Sequence, residues 1–332
     1  MLAGLERRLT ARWYGGPAPA WPLRLLARGV GALMRLRRWA YRAGLKPVEH
    51  LRVPVLVVGN RTVGGAGKTP TVIALVHALR ARGWRPGVVS RGHGRQGEGP
   101  RRVEEGRSAR EVGDEPLLIH HATGAPVEVD RDRPAAARRL VEAGCTLVIA
   151  DDGLQHLRLG RLVEVEVQDS RGLGNGLVLP AGPLREPRPQ RAADLVLVHG
   201  RAAGRGETAM RLVLGDARRL ASAAEVRPLA AFAGRRVHAV AGIGHPPRFF
   251  AALREAGLDV VEHPFPDHHA FDADDLAALR DAPLLMTAKD AVKCRGFDLP
   301  DAWEVPVTAR IPDDALDALD HLLRTRSADV DP

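Results

Sequence analysis

Four groups of side chains in this sequence have the types and spacing for chemistry on a phosphate. The first is Gly64-Gly65-Ala66-Gly67-Lys68-Thr69. Glycines let backbone N–H groups close on phosphate oxygens with no Cβ in the way. Lys68 supplies a full charge for the β- and γ-phosphates, and the Thr69 hydroxyl is a Mg2+ ligand type. The second is Asp151-Asp152, where a carboxylate could hold Mg2+ or its water shell. The third is Asp114-Glu115. Near Mg-ATP this pair could act as general base and indirect metal ligand, but its spacing alone favours a helix cap with a first-turn acid. The fourth is His268-His269, next to Asp267. No further ligand pattern accompanies the pair, so it points less to a metal than to a histidine that orients or relays for a carboxylate.

These groups need elements to hold them. The glycine loop follows a short apolar, β-branched run, Val53 to Val58, which reads as a buried strand, and it leads into a helical pattern from Val72 to Arg82. Strand, loop, Lys-Thr and helix make a phosphate-binding loop. The usual pattern has glycine at position 62, where this chain has Thr62. Asp151 and Asp152 close a second buried strand, Thr146 to Ala150. A strand from Pro86 to Ser90 ends in a loop with Arg91 and Arg95; the C-terminal ends of strands bind ligands in open α/β sheets, although a plain surface loop is the simpler reading. Pro116 to His121 reads as a helix. Leu162 to Asp169 alternates as a strand with one solvated face. Gly174 to Pro187 has too many prolines for a regular element, and its Arg185 is a candidate for the phosphate end of either substrate. Ala193 to His199 is another buried strand.

Beyond it, residues 201–227 read as a linker. Strands are expected at Val237–Ala241, Val260–His263 and Leu284–Thr287, and helices at Pro247–Ala256, Asp272–Arg280 and Asp313–Arg324. Lys289 and Asp290 could bracket a nucleotide base or ribose, or simply open a capped helix. The expected architecture is α/β: a P-loop NTPase-like core with a mostly parallel sheet over 50–226, a second, smaller α/β domain over 227–328 that closes over the site, and an N-terminal amphipathic helix within 1–49.

The net charge of +9 is concentrated. Met1 to Val53 hold 11 Lys+Arg and 2 Asp+Glu, so the rest of the chain is neutral. That distribution argues against a nucleic-acid partner for the nucleotide-site region. Arg24, Arg28, Arg35, Arg38 and Arg42 fall on one face of a helix from Pro22 to about Ala43, with Leu26, Val30, Leu33 and Ala40 opposite and Arg37 breaking the apolar side. Three of the five tryptophans lie nearby. No apolar run reaches 18 residues, so a spanning helix is not expected. The helix suits a membrane interface with anionic headgroups, or packing on its own domain with a solvated arginine face. Cys145 and Cys294 show no metal spacing and suit a reduced compartment as buried thiols.

In order, VGNRTVGGAGKTP, SRGHGR, GDEP, DDGLQH, LPAGPLREP, FPDHHAF and TAKDAVK resemble the tetraacyldisaccharide 4'-kinases, the lipid A 4'-kinases of Gram-negative bacteria. The likeness runs from the leader to about Lys293, and its loop is built on Gly-Gly-x-Gly-Lys-Thr, which makes Thr62 ordinary. The resemblance implies transfer of the ATP γ-phosphate to the 4'-hydroxyl of an acylated glucosamine disaccharide 1-phosphate, with Mg2+. It implies a peripheral enzyme on the cytosolic face of the inner membrane, and a monomer is expected. It further implies Asp114 as base with His268 as its partner, and Lys68 at the phosphates. The cradle would comprise Thr62, Val63, Gly64, Gly65, Ala66, Gly67, Lys68 and Thr69. Thr69, Glu115, Asp151 and Asp152 would stand on the magnesium side, and Arg91, Arg133 and Arg185 near phosphates. Two positions depart from the family: His93 where tyrosine is usual and Ala288 where glutamate is usual. A P-loop GTPase or metallochaperone, hydrolysing nucleotide without a lipid acceptor, is the rival reading; a membrane-bound scaffold that binds ATP without chemistry is another.

Overall fold

Val55–Gly59 (β1) is buried along its whole length, as a strand covered on both faces must be. In the computed structural model, which describes residues 10–188, 191–222 and 224–328, it is a central strand of the larger sheet. Residues 1–9 of the leader lie outside the described residues. The other strands of that sheet are Pro86–Ser90 (β2), Arg101–Val103 (β3), Val127–Val129 (β4), Leu147–Asp151 (β5), Val163–Gln168 (β6), Leu195–Val198 (β7) and Thr208–Ala209 (β8). Their spatial order is β3-β4-β2-β5-β1-β6-β7-β8, and every pairing is parallel except β3 with β4.

The helices are Trp21–Arg42 (α1), Lys68–Ala81 (α2), Ala109–Val112 (α3), Asp114–Thr123 (α4), Arg133–Glu142 (α5), Pro246–Glu255 (α6), Ala273–Ala277 (α7), Ala288–Cys294 (α8) and Asp313–Ala328 (α9). Val72, Leu75, Val76 and Leu79 of α2 bury against Leu56 and Val58 on one face of the sheet. Ala136, Ala137 and Leu140 of α5 cover Val55 and Val57 on the other.

The span read as a linker carries short strands instead. Besides β8 it holds Arg211–Leu214 (β9), Ala217–Arg219 (β10) and Val226–Arg227 (β11). The latter two join Arg236–Ala241 (β12), Asp259–Pro264 (β13), Leu284–Thr287 (β14) and Ala302–Val305 (β15) in a six-stranded sheet ordered β11-β10-β15-β14-β12-β13. Phe232, Phe250 and Trp303 fill its core. β9 pairs antiparallel with Val307–Arg310 (β16).

The last helix also departs from expectation. The pattern places α9 with the smaller layer, yet Leu316, Leu319 and Leu323 pack into the core of the larger sheet. Trp84 and Arg82, just after α2, bind Asp320 and Asp317 of α9 at 2.6 Å each. The face of β6 read as solvated is half-buried at Glu164 and Gln168; the strand lies between β1 and β7, and Glu166 is buried in an ion pair with Arg61 at 2.6 Å.

The leader helix inverts the simplest amphipathic reading. Leu23, Ala27 and Val30 pack on Leu173, Leu177 and Val178, and Arg38 turns inward to pair with Glu186. Leu25, Leu26, Leu33, Leu36, Trp21 and Trp39 face outward; Leu33 is 67% and Trp21 75% exposed. No helix among the described residues is long and apolar enough to cross a membrane.

Candidate active site

The C-terminal ends of β1, β2 and β5 converge, as ligand-binding edges of parallel sheets do. The loop after β1 turns through Gly64 and Gly67, at φ 94° and 82°. Gly67 has no alternative: a Cβ there would meet Leu212 at 2.9 Å and the His199 ring at 3.0 Å. Helix α2 starts at Lys68, four residues earlier than its apolar pattern, so its unpaired N–H groups open onto the loop. Thr69 is the second residue of that helix and is half-buried.

Thr62 does not stand in a tight turn. It forms an isolated bridge with Leu184, and the Val63 N–H donates to the Pro183 carbonyl. That pairing explains why position 62 needs no glycine.

Asn60, not singled out from the sequence, ties the loop together. Its Nδ2 donates to the Thr62 carbonyl at 2.8 Å, and its Oδ1 accepts from Lys68 Nζ at 3.1 Å. Lys68 also lies 3.6 Å from Asp152. His199, after β7, is buried; Arg248 donates to its Nδ1 at 2.9 Å, leaving Nε2–H to donate to the Ala66 carbonyl at 3.0 Å. Burial, with the Arg248 charge, keeps this ring below its ordinary pKa and hence neutral.

Asp151 and Asp152 are not equivalent. Burial pushes the Asp152 carboxyl up, but Lys68 and Arg185 outweigh it and hold the group below the usual carboxylate range. Arg185 donates to both Asp152 oxygens, at 2.8 and 2.6 Å. Asp151 is 1% exposed, and its Oδ1 has no hydrogen-bond partner. Burial, reinforced by the charges of Glu115 and Asp152, pushes its carboxyl up to about 7. A buried, orphaned carboxylate oxygen beside a phosphate loop fits a divalent cation. No cluster of three or more metal-binding side chains occurs among the described residues; Mg2+ usually takes one or two carboxylates and completes its shell with phosphates and water.

Arg133 is buried at the start of α5 and donates to the Asp152 carbonyl at 2.8 Å. Arg91 is exposed; its charge reaches Arg133.

The third pair is not a cap. Asp114 and Glu115 are the first residues of α4, and Asp114 Oδ2 lies 3.0 Å from His268 Nδ1, across from the smaller sheet. Burial raises the Asp114 carboxyl, but the His268 hydrogen bond and the Lys289 charge together leave it below its usual range. The hydrogen bond to Asp114 raises His268, against its burial. The His93 ring, at the position where the family usually has tyrosine, lies 5.1 Å from the His268 ring, tilted by 38°. His269 is bound elsewhere, to Asp275 at 2.8 Å.

Lys289 reaches Glu115 at 3.3 Å and Asp267 at 3.2 Å. Asp290 is fully buried, accepting from the Gly242 N–H and paired with Lys293. Both non-glycine residues with left-handed backbone among the described residues, Asp152 at φ 48° and His268 at φ 59°, belong to this site. Such strain costs about 1–3 kcal/mol and concentrates where geometry serves function.

Fold and site together define a P-loop nucleotide-binding protein with a carboxylate–histidine pair facing the loop. The family profile described as Tetraacyldisaccharide-1-P 4'-kinase matches residues 19–324. Curated relatives named tetraacyldisaccharide 4'-kinase include one from Stenotrophomonas maltophilia, 48% identical over 94% of this chain and 95% of its own. Another, from an Azoarcus species, is 53% identical over 88% of this chain and 87% of its own. Among solved structures, LpxK from Aquifex aeolicus in complex with ATP superposes with a TM-score of 0.76 at 27% identity, over 91% of this chain and 97% of that one. The chain belongs to the tetraacyldisaccharide 4'-kinase family.

Proposed function

We propose that this chain transfers the γ-phosphate of ATP to the 4'-hydroxyl of an acylated glucosamine disaccharide 1-phosphate, giving the bis-phosphorylated lipid A precursor and ADP. The observation that carries the reading is Asp114 held by His268, next to Glu115, whose charge reaches Asp151 beside Lys68. Phosphoryl transfer depends chiefly on alignment and charge neutralisation. Lys68 would move from Asn60 and Asp152 onto the phosphates, with Gly64 to Thr69 cradling them and Arg133 and Arg185 in support. Asp114, ionised at neutral pH, would accept the hydroxyl proton late in the transfer, and the smaller unit supplies His268 and closes over the site. Asp151, with Thr69 and Glu115 nearby, would hold Mg2+, which when bound supplies neutralising charge at the β- and γ-phosphate oxygens. The GTPase or metallochaperone reading is not favoured, since the matching family profile and relatives are named as kinases of a disaccharide 1-phosphate or a disaccharide.

The test is direct. Purified protein, labelled ATP, Mg2+ and acylated disaccharide 1-phosphate in detergent should give a labelled lipid. Nucleotide hydrolysis without a labelled lipid would reject the reading.

We also place the protein on the cytosolic face of the inner membrane, as a monomer seated through α1. The outward stripe of Leu25, Leu33 and the tryptophans, flanked by arginines, suits the headgroup boundary. Burying one leucine contributes about 1.5–3 kcal/mol. Leu25→Glu with Leu33→Glu should therefore weaken binding to anionic vesicles about 10²-fold or more, with ATP affinity unchanged. Co-sedimentation reads the first and nucleotide titration the second; undiminished vesicle binding would reject this orientation.

A further inference from the structure

Lys289 breaks a local rule. It is the second residue of α8, and a cation in the first turn opposes the helix dipole. Its surroundings compensate. Nζ lies 3.3 Å from Glu115 Oε1, 3.2 Å from Asp267 Oδ1, 3.8 Å from Asp114 Oδ2 and 3.3 Å from His268 Nε2. The position is also rigid. The Thr287 hydroxyl caps α8, buried Asp290 anchors that helix to Gly242, and Val292 of α8 packs into the core shared with Leu117 of α4.

The contact with His268 fixes where a proton sits. An ammonium can only donate, so the ring nitrogen facing it must accept. That leaves the single hydrogen of a neutral imidazole on Nδ1, pointing at Asp114 Oδ2 3.0 Å away. Two competing arrangements are open to a histidine between acids. One is the Nε2–H tautomer, which would set two lone pairs against each other at Asp114. The other is an imidazolium shared between Asp114 and Asp267, the latter 3.9 Å from Nε2. Lys289 opposes both, the first by occupying the Nε2 lone pair and the second by like charge, although the hydrogen bond to Asp114 outweighs that charge and leaves the ring raised overall.

We infer that Lys289 is a positioning residue for the transfer: it locks His268 in the Nδ1–H tautomer, so that the ring orients Asp114 as acceptor of the sugar hydroxyl proton. The inference rests on the kinase reading above, and its test separates the two.

Two measurements are needed, on wild type, Lys289→Met, His268→Ala and the double variant. Steady-state transfer should show kcat down about tenfold in Lys289→Met, no more than the loss expected of His268→Ala, with KM for ATP within about twofold, since Lys289 reaches the phosphates only through other groups. In the His268→Ala background the same change should lower kcat by less than about threefold, because the group it acts through is gone. Long-range 1H–15N spectra of the His268 ring, taken at a pH above its raised titration, should show hydrogen on Nδ1 in wild type and loss of that pure state in Lys289→Met. An undiminished kcat, an equal loss in both backgrounds, or an unchanged tautomer would each overturn the inference. Equal losses would assign Lys289 to Glu115 or to the nucleotide instead. Should wild type transfer no phosphate, the kinase reading fails by itself, and the spectra still decide the tautomer.

Discussion

Asp114→Asn is expected to cut turnover about 10²–10⁴-fold while leaving KM for ATP within about twofold. The variant keeps shape and volume, and its amide oxygen can still accept from His268 Nδ1. What it loses is the ability to take a proton. Asp114 is buried, so water cannot easily substitute as the acceptor. A sugar hydroxyl titrates far above neutral, but a loose transition state defers proton loss until the new bond is nearly made. The effect therefore belongs to kcat rather than to binding. Lys68, Asp152 and Arg185 form their own bonds without Asp114, which is why ATP should bind almost normally. His268→Ala should cost less, about tenfold, since it removes orientation and leaves the acceptor. Labelled-ATP kinetics in detergent measure both. Turnover of Asp114→Asn within threefold of wild type would show that some other group takes the proton.

The parts of the site legible in the sequence are those built from neighbours in the chain. The phosphate loop declares itself because strand, glycines, Lys68 and helix are contiguous, and Pro86–Ser90 and Leu284–Thr287 appear as read. Parts that depend on distant partners were not legible. Alternating Val and Glu in β6 describe a half-solvated strand unless one knows that Arg61, 105 residues earlier, neutralises Glu166. The apolar stripe of α9 says that it packs, not that its partner is the core around α2. Leu23 and Leu25 are alike in sequence, and only the loop at 173–178 decides that one turns inward. Lys289 sits in a motif that suggests a nucleotide contact. Its actual partners come from α4 and from the loop after β13, which local pattern cannot join.

Asp151→Asn should move stability and activity in opposite directions. Asp151 is held in a site that disfavours its charge: it is buried, one oxygen has no partner, and Glu115 and Asp152 are nearby. Between its ordinary value near 3.8 and the raised value of about 7, the folded chain keeps a proton that the unfolded chain releases. Stability therefore declines as pH rises through that window and stays reduced above it. An asparagine carries no charge to bury, and its amide hydrogens face the two neighbouring acids. At pH 8 without nucleotide the variant should be more stable by about 2–4 kcal/mol, on the order of 5 °C in Tm, and the difference should vanish near pH 4. Adding Mg2+ with a non-hydrolysable ATP analogue should reverse the order, because the wild-type carboxylate gains a cation that the amide holds poorly. EDTA should restore the original ranking. Turnover of the variant should fall about 10²-fold or more at saturating ATP, since charge at the transferring phosphate is then less well neutralised. Thermal melts at the two pH values, with and without the metal–nucleotide pair, read the sign directly. A variant less stable than wild type at pH 8 without ligand would mean that Asp151 serves the fold rather than the metal.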